Sequence, residues 1–346
     1  EGEGADRTHM DLPEEQNHLI AEVCRVQPDT VVVLANGAPV TMPWVQEVPA
    51  ILEMYLAGDG ASEATLDLLF GRVNPSGKLA ESFPLRLEDT SSYLNFPGEN
   101  GVVHYNEDIF VGYRYYDRKK MPVLFPFGHG LSYTTFSYSN LRIAKDRIRE
   151  NESTEVTVTV TNTGSCPGKE VVQLYAGAKK SAVRRPVREL KGFRKIMLLP
   201  GESKDVTFTL DKRSFAYYET AIHDWFVEGG SYEIGVGTSS RELPLQGEIE
   251  VESTQSLPLN VTLNTSIGEL IRHPATAPVM QRLIQQSMER QHSGNLAADA
   301  AAIGTSKESL IAGAMEMPIG ALVSFGIMSE EQLSGLIAML QESIDK

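Results

Sequence analysis

The sequence is poor in cysteine, in basic residues and in long apolar runs. Of its 346 residues only two are cysteine, Cys24 and Cys166. They fall in segments that read as different domains, so a structural disulfide is not expected and the fold must rest on its cores. That count suits a cytosolic protein, and equally a secreted one without disulfides. Lysine and arginine total 31 against 46 aspartates and glutamates, a formal charge of −15. Such a surface meets phosphate with its own sign, which argues against nucleic acid or an anionic membrane as partner. The basic pairs Lys179-Lys180 and Arg184-Arg185 interrupt this balance and read as solvated edge charges. No apolar stretch approaches the ~20 residues of a membrane span. The N-terminus, Glu1-Gly2-Glu3-Gly4, has neither an initiator methionine nor a signal-peptide pattern, and reads as the middle of a longer product. Glycosylation-type triplets begin at Asn151, Asn260 and Asn264, but such short patterns arise by chance.

Several chemical signatures are missing as well. Gly71 to Leu79 invites a phosphate-loop reading, yet five residues separate Gly71 from Gly77 where four are needed. Leu79 also stands where a metal-binding hydroxyl belongs. Asn74-Pro75-Ser76-Gly77 reads instead as a tight turn between a helix and a strand. No Gly-x-Ser-x-Gly nucleophile elbow occurs. The seven histidines keep no metal-ligand spacing with the cysteines, so neither a metal nor a cofactor is expected.

What is present falls into three segments. Pro13 to Val26 opens with Pro-Glu-Glu and repeats apolar residues at Leu19, Ile20, Val23 and Cys24, a helical spacing with acids in its first turn. Thr30 to Leu34, ending at Asn36-Gly37, reads as a buried strand, and Pro49 to Tyr55 as another. Ser62 to Phe70 returns to helix and stops at Gly71. This alternation predicts a mainly parallel sheet with helices, whose ligands meet the loops after the strand C-terminal ends, near Asn36-Gly37 and Gly58-Asp59-Gly60. From Thr134, Val and Thr alternate over Thr154–Thr161. Val171–Tyr175, Glu189–Met197, Val206–Leu210, Trp225–Glu228, Tyr232–Val236 and Gln246–Val251 follow between turn signals. Seven short strands predict a β-sandwich of immunoglobulin or fibronectin type III style. After residue 255 the spacing is helical, at Val279, Leu283 and Ile284 and at Leu333, Leu336, Ile337 and Leu340. Ser329-Glu330-Glu331-Gln332 marks a helix start. Met315, Met317, Met328 and Met339 read as core filler where these helices dock. Trp44 and Trp225 read as core, Tyr113, Tyr115 and Tyr116 as packing residues of a strand, and Asp59 as a turn residue.

Glu3-Gly4-Ala5-Asp6-Arg7 carries candidate chemistry. Cleaving a glycosidic bond takes two carboxyl groups, one for the anomeric carbon and one for the leaving oxygen. A glutamate beside glycine in a loop can swing to a sugar, with Asp6 and Arg7 available to brace the loop; a solvated terminal glutamate explains the residue as well.

The order of motifs resembles glycoside hydrolase family 3, the β-glucosidase family. The resemblance rests on Glu1-Gly2-Glu3-Gly4-Ala5-Asp6-Arg7 with Leu12-Pro13 and Gln16, on Thr30-Val31-Val32-Val33 with Gly37 and Pro43-Trp44, and on Leu69-Phe70-Gly71 with Asn74 to Leu79 and Phe83-Pro84. It continues through Tyr105 to Tyr116, Phe125 to Thr134, Arg188 to Phe193 and Pro200-Gly201-Glu202, and more loosely through Ser266 to Leu270. It implies a partial α/β sandwich domain over residues 1–133, a fibronectin type III-like domain over 134–255 and a helical C-terminal extension over 256–346. It further implies an exo-acting retaining β-glucosidase in which Glu3, directly before the glycine, is the general acid/base, with Glu1 as nearest rival. The aspartate nucleophile would lie on an N-terminal barrel absent from this chain and carried by the same protein, possibly as a separate chain. The substrate would be a β-glucoside or oligosaccharide, with no residue of its binding pocket identified here. Residues 1–346 alone are then expected to be inactive, with an unsatisfied sheet edge. The alternatives are a β-xylosidase of the same family and a non-catalytic carbohydrate- or partner-binding scaffold.

Overall fold

The computed structural model describes residue 4 and residues 7–290 and 306–345. Chain contacts divide it into two compact units, Glu1–Gln255 and Ser256–Lys346.

In the first unit, Pro13 precedes helix α1 (Glu14–Val26), whose first turn carries Glu14 and Glu15 and whose last carries Arg25, each favourable to the helix dipole. Strands β1 (Val31–Leu34) and β2 (Ala50–Glu53) pair in parallel, with Val31 opposite Ala50 and Leu34 opposite Glu53. Helix α2 (Ala61–Leu69) follows β2, as the strand–helix alternation requires. The inner faces meet in a core of Cys24, Val32, Leu34, Val40, Met42, Trp44, Val48 and Phe83. Trp44 is buried as expected, its indole N–H donating to Asn17 at 2.9 Å.

Two expectations are corrected here. The β1 run is not buried throughout: Val32 and Leu34 point inward, whereas Val31 and Val33 are 47% and 42% exposed. A β-branched run fits one covered face as well as two. Leu19 is likewise on the outside of α1, at 62% exposure, so the inward stripe is Ile20 and Cys24.

Residues 71–133 contain little regular structure. Asn74–Gly77 forms no tight turn; the Asn74 side chain instead reaches outward: Ser132 Oγ and Tyr133 N–H donate to its oxygen at 2.9 and 2.8 Å, and its amide donates to Pro167 O at 3.0 Å. Tyr113–Arg118 is helix α3, not a strand; Gly112, at φ 56, starts it. Six residues are too few to impose a helical apolar period on the sequence. The tyrosines do pack, Tyr113 stacking on Phe127 at 4.7 Å with Tyr116 buried.

The rest of this unit is a β-sandwich. Strands β3 (Phe136–Ile143), β5 (Thr154–Asn162) and β8 (Ser203–Leu210) form one sheet in the order β3-β5-β8. The other sheet is β4-β12-β11-β6-β7, from β4 (Arg147–Arg149), β6 (Gly168–Ala178), β7 (Glu189–Leu198), β11 (Gly230–Gly237) and β12 (Leu245–Glu252). A short hairpin, β9 (Tyr217–Glu219) with β10 (Asp224–Phe226), follows helix α4 (Lys212–Phe215). The threonine–valine alternation of β5 turns Val156, Val158 and Val160 inward, all fully buried, against Leu174, Leu198, Ile234 and Ile249. Trp225 is only partly buried; it packs against this core and carries the Arg213 guanidinium 3.4 Å from its ring centre.

Polar bonds join the α/β part to the sandwich. Lys78 Nζ lies 3.1 Å from Glu170 Oε1 on β6 and donates to Gly130 O at 2.8 Å, with the two side chains 11% and 4% exposed. Tyr138 O–H donates to the same carboxylate at 3.2 Å. Arg241 pairs with Asp117 at 2.8 Å, and Gln173 donates to Gly128 O at 3.1 Å. A Cβ at Gly128 would collide with the Gln173 amide, so this approach requires glycine. Cys24 and Cys166 are both free thiols.

The second unit is helical: Ile267–Arg272, Ala277–Arg290, Lys307–Glu316, Ala321–Ser324 and Glu330–Asp345. Its core holds Val261, Leu270, Met280, Ile319, Leu333, Leu336 and Leu340, with Val279, Leu283 and Ile337 packed against it. The side chain of Ile284 lies outside the described residues. At Glu330–Asp345 the Ser329 hydroxyl accepts from Gln332 N–H at 3.2 Å while the Gln332 side chain accepts from Ser329 N–H at 2.9 Å, the reciprocal cap expected there. The methionines are not uniformly core: Met328 packs inward, but Met339 is 47% exposed.

Candidate active site

Glu3, its rival Glu1 and the bracing residue Asp6 lie outside the described residues. The segment that follows them is well placed. The Arg7 guanidinium donates to Pro39 O at 3.3 Å, Thr41 N–H donates to Met10 O at 3.0 Å, and the Thr41 hydroxyl donates to Asp11 at 2.5 Å. Met10 is buried. Residues 7–11 are therefore fastened along residues 39–41, just beyond the C-terminal end of β1, where open parallel sheets meet their ligands.

That end of the sheet holds three half-satisfied polar groups. Asn36, 8% exposed, spends its amide N–H on Ala38 O at 2.9 Å, and its oxygen has no hydrogen-bond partner. Glu53, the last residue of β2, accepts from Tyr55 N–H at 2.8 Å with one oxygen and leaves the other without a partner. Burial pushes the Glu53 carboxyl above its ordinary range, against the opposing hydrogen bonds of Tyr55 and Asn36. Tyr55 sits at φ 48, its ring 6.5 Å from that of Phe83, and its hydroxyl has no partner. Burial raises its phenol pKa, helped by the charges of Glu81 and Glu53. Buried polar atoms without partners are costly, so a cluster of them marks a place built for something further. The Gly58–Gly60 turn is exposed and Asp59 serves it without joining this cluster.

The sequence reading missed Glu53 and Tyr55. The available signal was slight: an acid closing an apolar strand at its C-terminal end. Among the described residues no group of three His, Cys, Asp or Glu side chains is arranged to hold a metal ion.

Residues 1–133 match a family model described as the glycosyl hydrolase family 3 C-terminal domain, and residues 170–240 match one described as a fibronectin type III-like domain. Thermostable beta-glucosidase B of Acetivibrio thermocellus is 47% identical over 348 residues, covering all of this chain and 44% of that protein. The chain belongs to glycoside hydrolase family 3. Probable beta-glucosidase I of Aspergillus fumigatus is 47% identical over 260 residues, 74% of this chain and 31% of its own length. Among solved structures, the family 3 beta-glucosidase of Bifidobacterium adolescentis superposes with a TM-score of 0.74 at 42% identity, over 80% of this chain and 41% of that one. Beta-glucosidase of Kluyveromyces marxianus in complex with glucose gives 0.68 at 43% identity, over 72% and 30%. The chain spans less than half the length of these family members, and what it matches is their C-terminal part.

Proposed function

We propose that this chain supplies the general acid/base of an exo-acting, retaining β-glucosidase, and that Glu3 is that residue. The observation that carries the reading is the segment Glu3-Gly4-Ala5-Asp6-Arg7, standing at the start of a family 3 C-terminal domain match whose relatives are named beta-glucosidases. Its anchorage supports the role: Arg7 and Met10 hold the following residues beside the strand ends, and four residues of chain let Glu3 lie at most about 14 Å from Arg7. The aspartate nucleophile is assigned to a barrel outside residues 1–346. The apolar surface left open at Val31, Val33, Leu56 and Phe70 suits contact with such a part.

The reaction proceeds in two displacements. The aspartate attacks the anomeric carbon while Glu3 gives its proton to the leaving oxygen, forming a glycosyl–aspartate ester. Glu3, now ionised, takes a proton from water as that water releases glucose and restores the aspartate. A carboxyl free in water ionises near about 4.3, so the first step requires surroundings that raise this value.

The test uses the complete protein. Glu3→Gln should lower turnover of β-glucosides with poor leaving groups by about 10²–10⁴-fold, with azide restoring part of the rate. Unchanged kinetics would move the role to Glu1 or leave the chain a scaffold. Comparing aryl β-glucoside with aryl β-xyloside separates the two specificities, and residues 1–346 alone should cleave neither.

A further inference from the structure

The basic pairs at 179–180 and 184–185 are not all edge charges. The chain after β6 folds back to wall a groove of about 660 Å³, lined by Arg118 from α3, Lys179, Lys180 and Arg185 from the loop, and Glu233 from β11. Four cations and one carboxylate thus line it, with Glu228 and Glu248 bound to the lining residues Ser181 and Lys179, in a protein whose overall charge is −15. Val183, Pro186 and Val187 supply an apolar wall. The loop closes tightly, since a Cβ at Gly177 would collide with the Val187 carbonyl. Its other end is held by Glu228, whose carboxylate accepts from the Ser181 hydroxyl and from Ala182 N–H at 2.7 Å.

Arg185 is the decisive residue. It is 8% exposed, with its guanidinium beside the rings of Tyr217 and Tyr232 at 5.5 and 5.8 Å. Its hydrogen bonds go to neutral oxygens and are long, 3.4 Å to the Tyr232 hydroxyl and 3.5 Å to Ala216 O. Among the described residues no carboxylate pairs with it. A buried guanidinium is costly without an anion, and Glu228 is already engaged by the loop. Lys179 is paired with Glu248, which leaves Arg118, Lys180 and Arg185 without a carboxylate partner among the described residues. We infer that this groove binds a small oxyanion-bearing ligand, a sugar acid or a phosphate, with Arg185 at its floor and Arg118 and Lys180 at its rim. Planar guanidinium groups suit carboxylate and phosphate oxygens, and the volume suits a ligand of one or two sugar rings.

Calorimetric titration of the chain at low ionic strength with inorganic phosphate, glucuronate and uncharged glucose tests this. Saturable binding of phosphate or glucuronate, but not of glucose, is expected, and it should weaken as salt is added. Arg118→Gln and Lys180→Gln, both surface changes, should each raise the dissociation constant about fivefold or more, and together beyond tenfold. Phosphate binding alone would assign a phosphoryl ligand, and tighter glucuronate binding a sugar acid. Absence of saturable binding for both anions, equal binding of glucose, or full affinity in the double variant with unchanged circular dichroism would overturn the inference. Arg185→Gln is informative only where its circular dichroism matches the parent, which is why the rim variants carry the test.

Discussion

The Lys78–Glu170 pair offers the sharpest test of how the α/β part is held to the sandwich. Both side chains are nearly out of water, and Lys78 is the one cation compensating the carboxylate among the described residues, beside hydrogen bonds from Tyr138 and the Val171 backbone. Lys78→Met keeps most of the stem's volume and removes the ammonium, leaving a buried, uncompensated anion. Such a loss costs about 3–5 kcal/mol. The pH dependence discriminates this cause from simple loss of packing. Burial already raises the Glu170 carboxyl above its ordinary 4.5, with Lys78 opposing. In that window the folded state holds more protons than the unfolded, so stability falls as pH climbs from about 4.5 to the raised value and is level above it. Without Lys78 the carboxyl rises further, and the decline becomes deeper and reaches higher pH. The penalty should therefore be full at neutral pH and shrink near pH ~4, where Glu170 is protonated in both proteins. Urea denaturation at several pH values reads this out, with Trp44 and Trp225 reporting from opposite sides of the joint by fluorescence. Lys78→Met with Glu170→Met should return to within about 2 kcal/mol of the parent. A single-variant penalty under about 1 kcal/mol, or one that does not change with pH, would refute the reasoning.

Other expectations follow from the same structure. Leu174→Ala, at a fully buried position of the sandwich, should cost about 2–5 kcal/mol in denaturant unfolding. Asp211→Ala removes the reciprocal cap with Ser214 at α4 and should cost about 1 kcal/mol by the same assay. His129, stacked on Phe125, is held below its ordinary 6.5 by burial, with Glu242 opposing and Lys78 assisting. Its contribution is complete above pH 6.5 and is lost as pH falls through the depressed value, so His129→Gln should flatten the stability profile on that acid side.

Much of the architecture was legible because it rests on one-dimensional pattern. In β5 a covered face and a wet face alternate residue by residue, and the threonines and valines record that directly. Strand β3 escaped the same reading because its register shifts between Ser139 and Arg142, so the inward Phe136 and Tyr138 fall out of phase with Leu141 and Ile143. Strand β4 has a single buried residue, Ile148, and shows no pattern at all. The site was less legible than the fold. Glu3 was singled out by its neighbours in sequence, whereas Glu53 and Tyr55 acquire their character only from what is folded around them. Arg185 looked like its neighbour Arg184 in sequence, and only the return of the loop over β6 separates a buried cation from an exposed one.

The seam between the α/β part and the sandwich is stitched by Asn74, Lys78, Asp117 and Gln173, beside the edge contact of Tyr113 with Tyr175. Directional bonds of this kind have one registration: the halves either mate at a single angle or come apart, with no gradual slippage between. The sandwich thereby acts as a fixed mount for the sheet, and a lesion far out on β6 can misalign the strand ends without touching them.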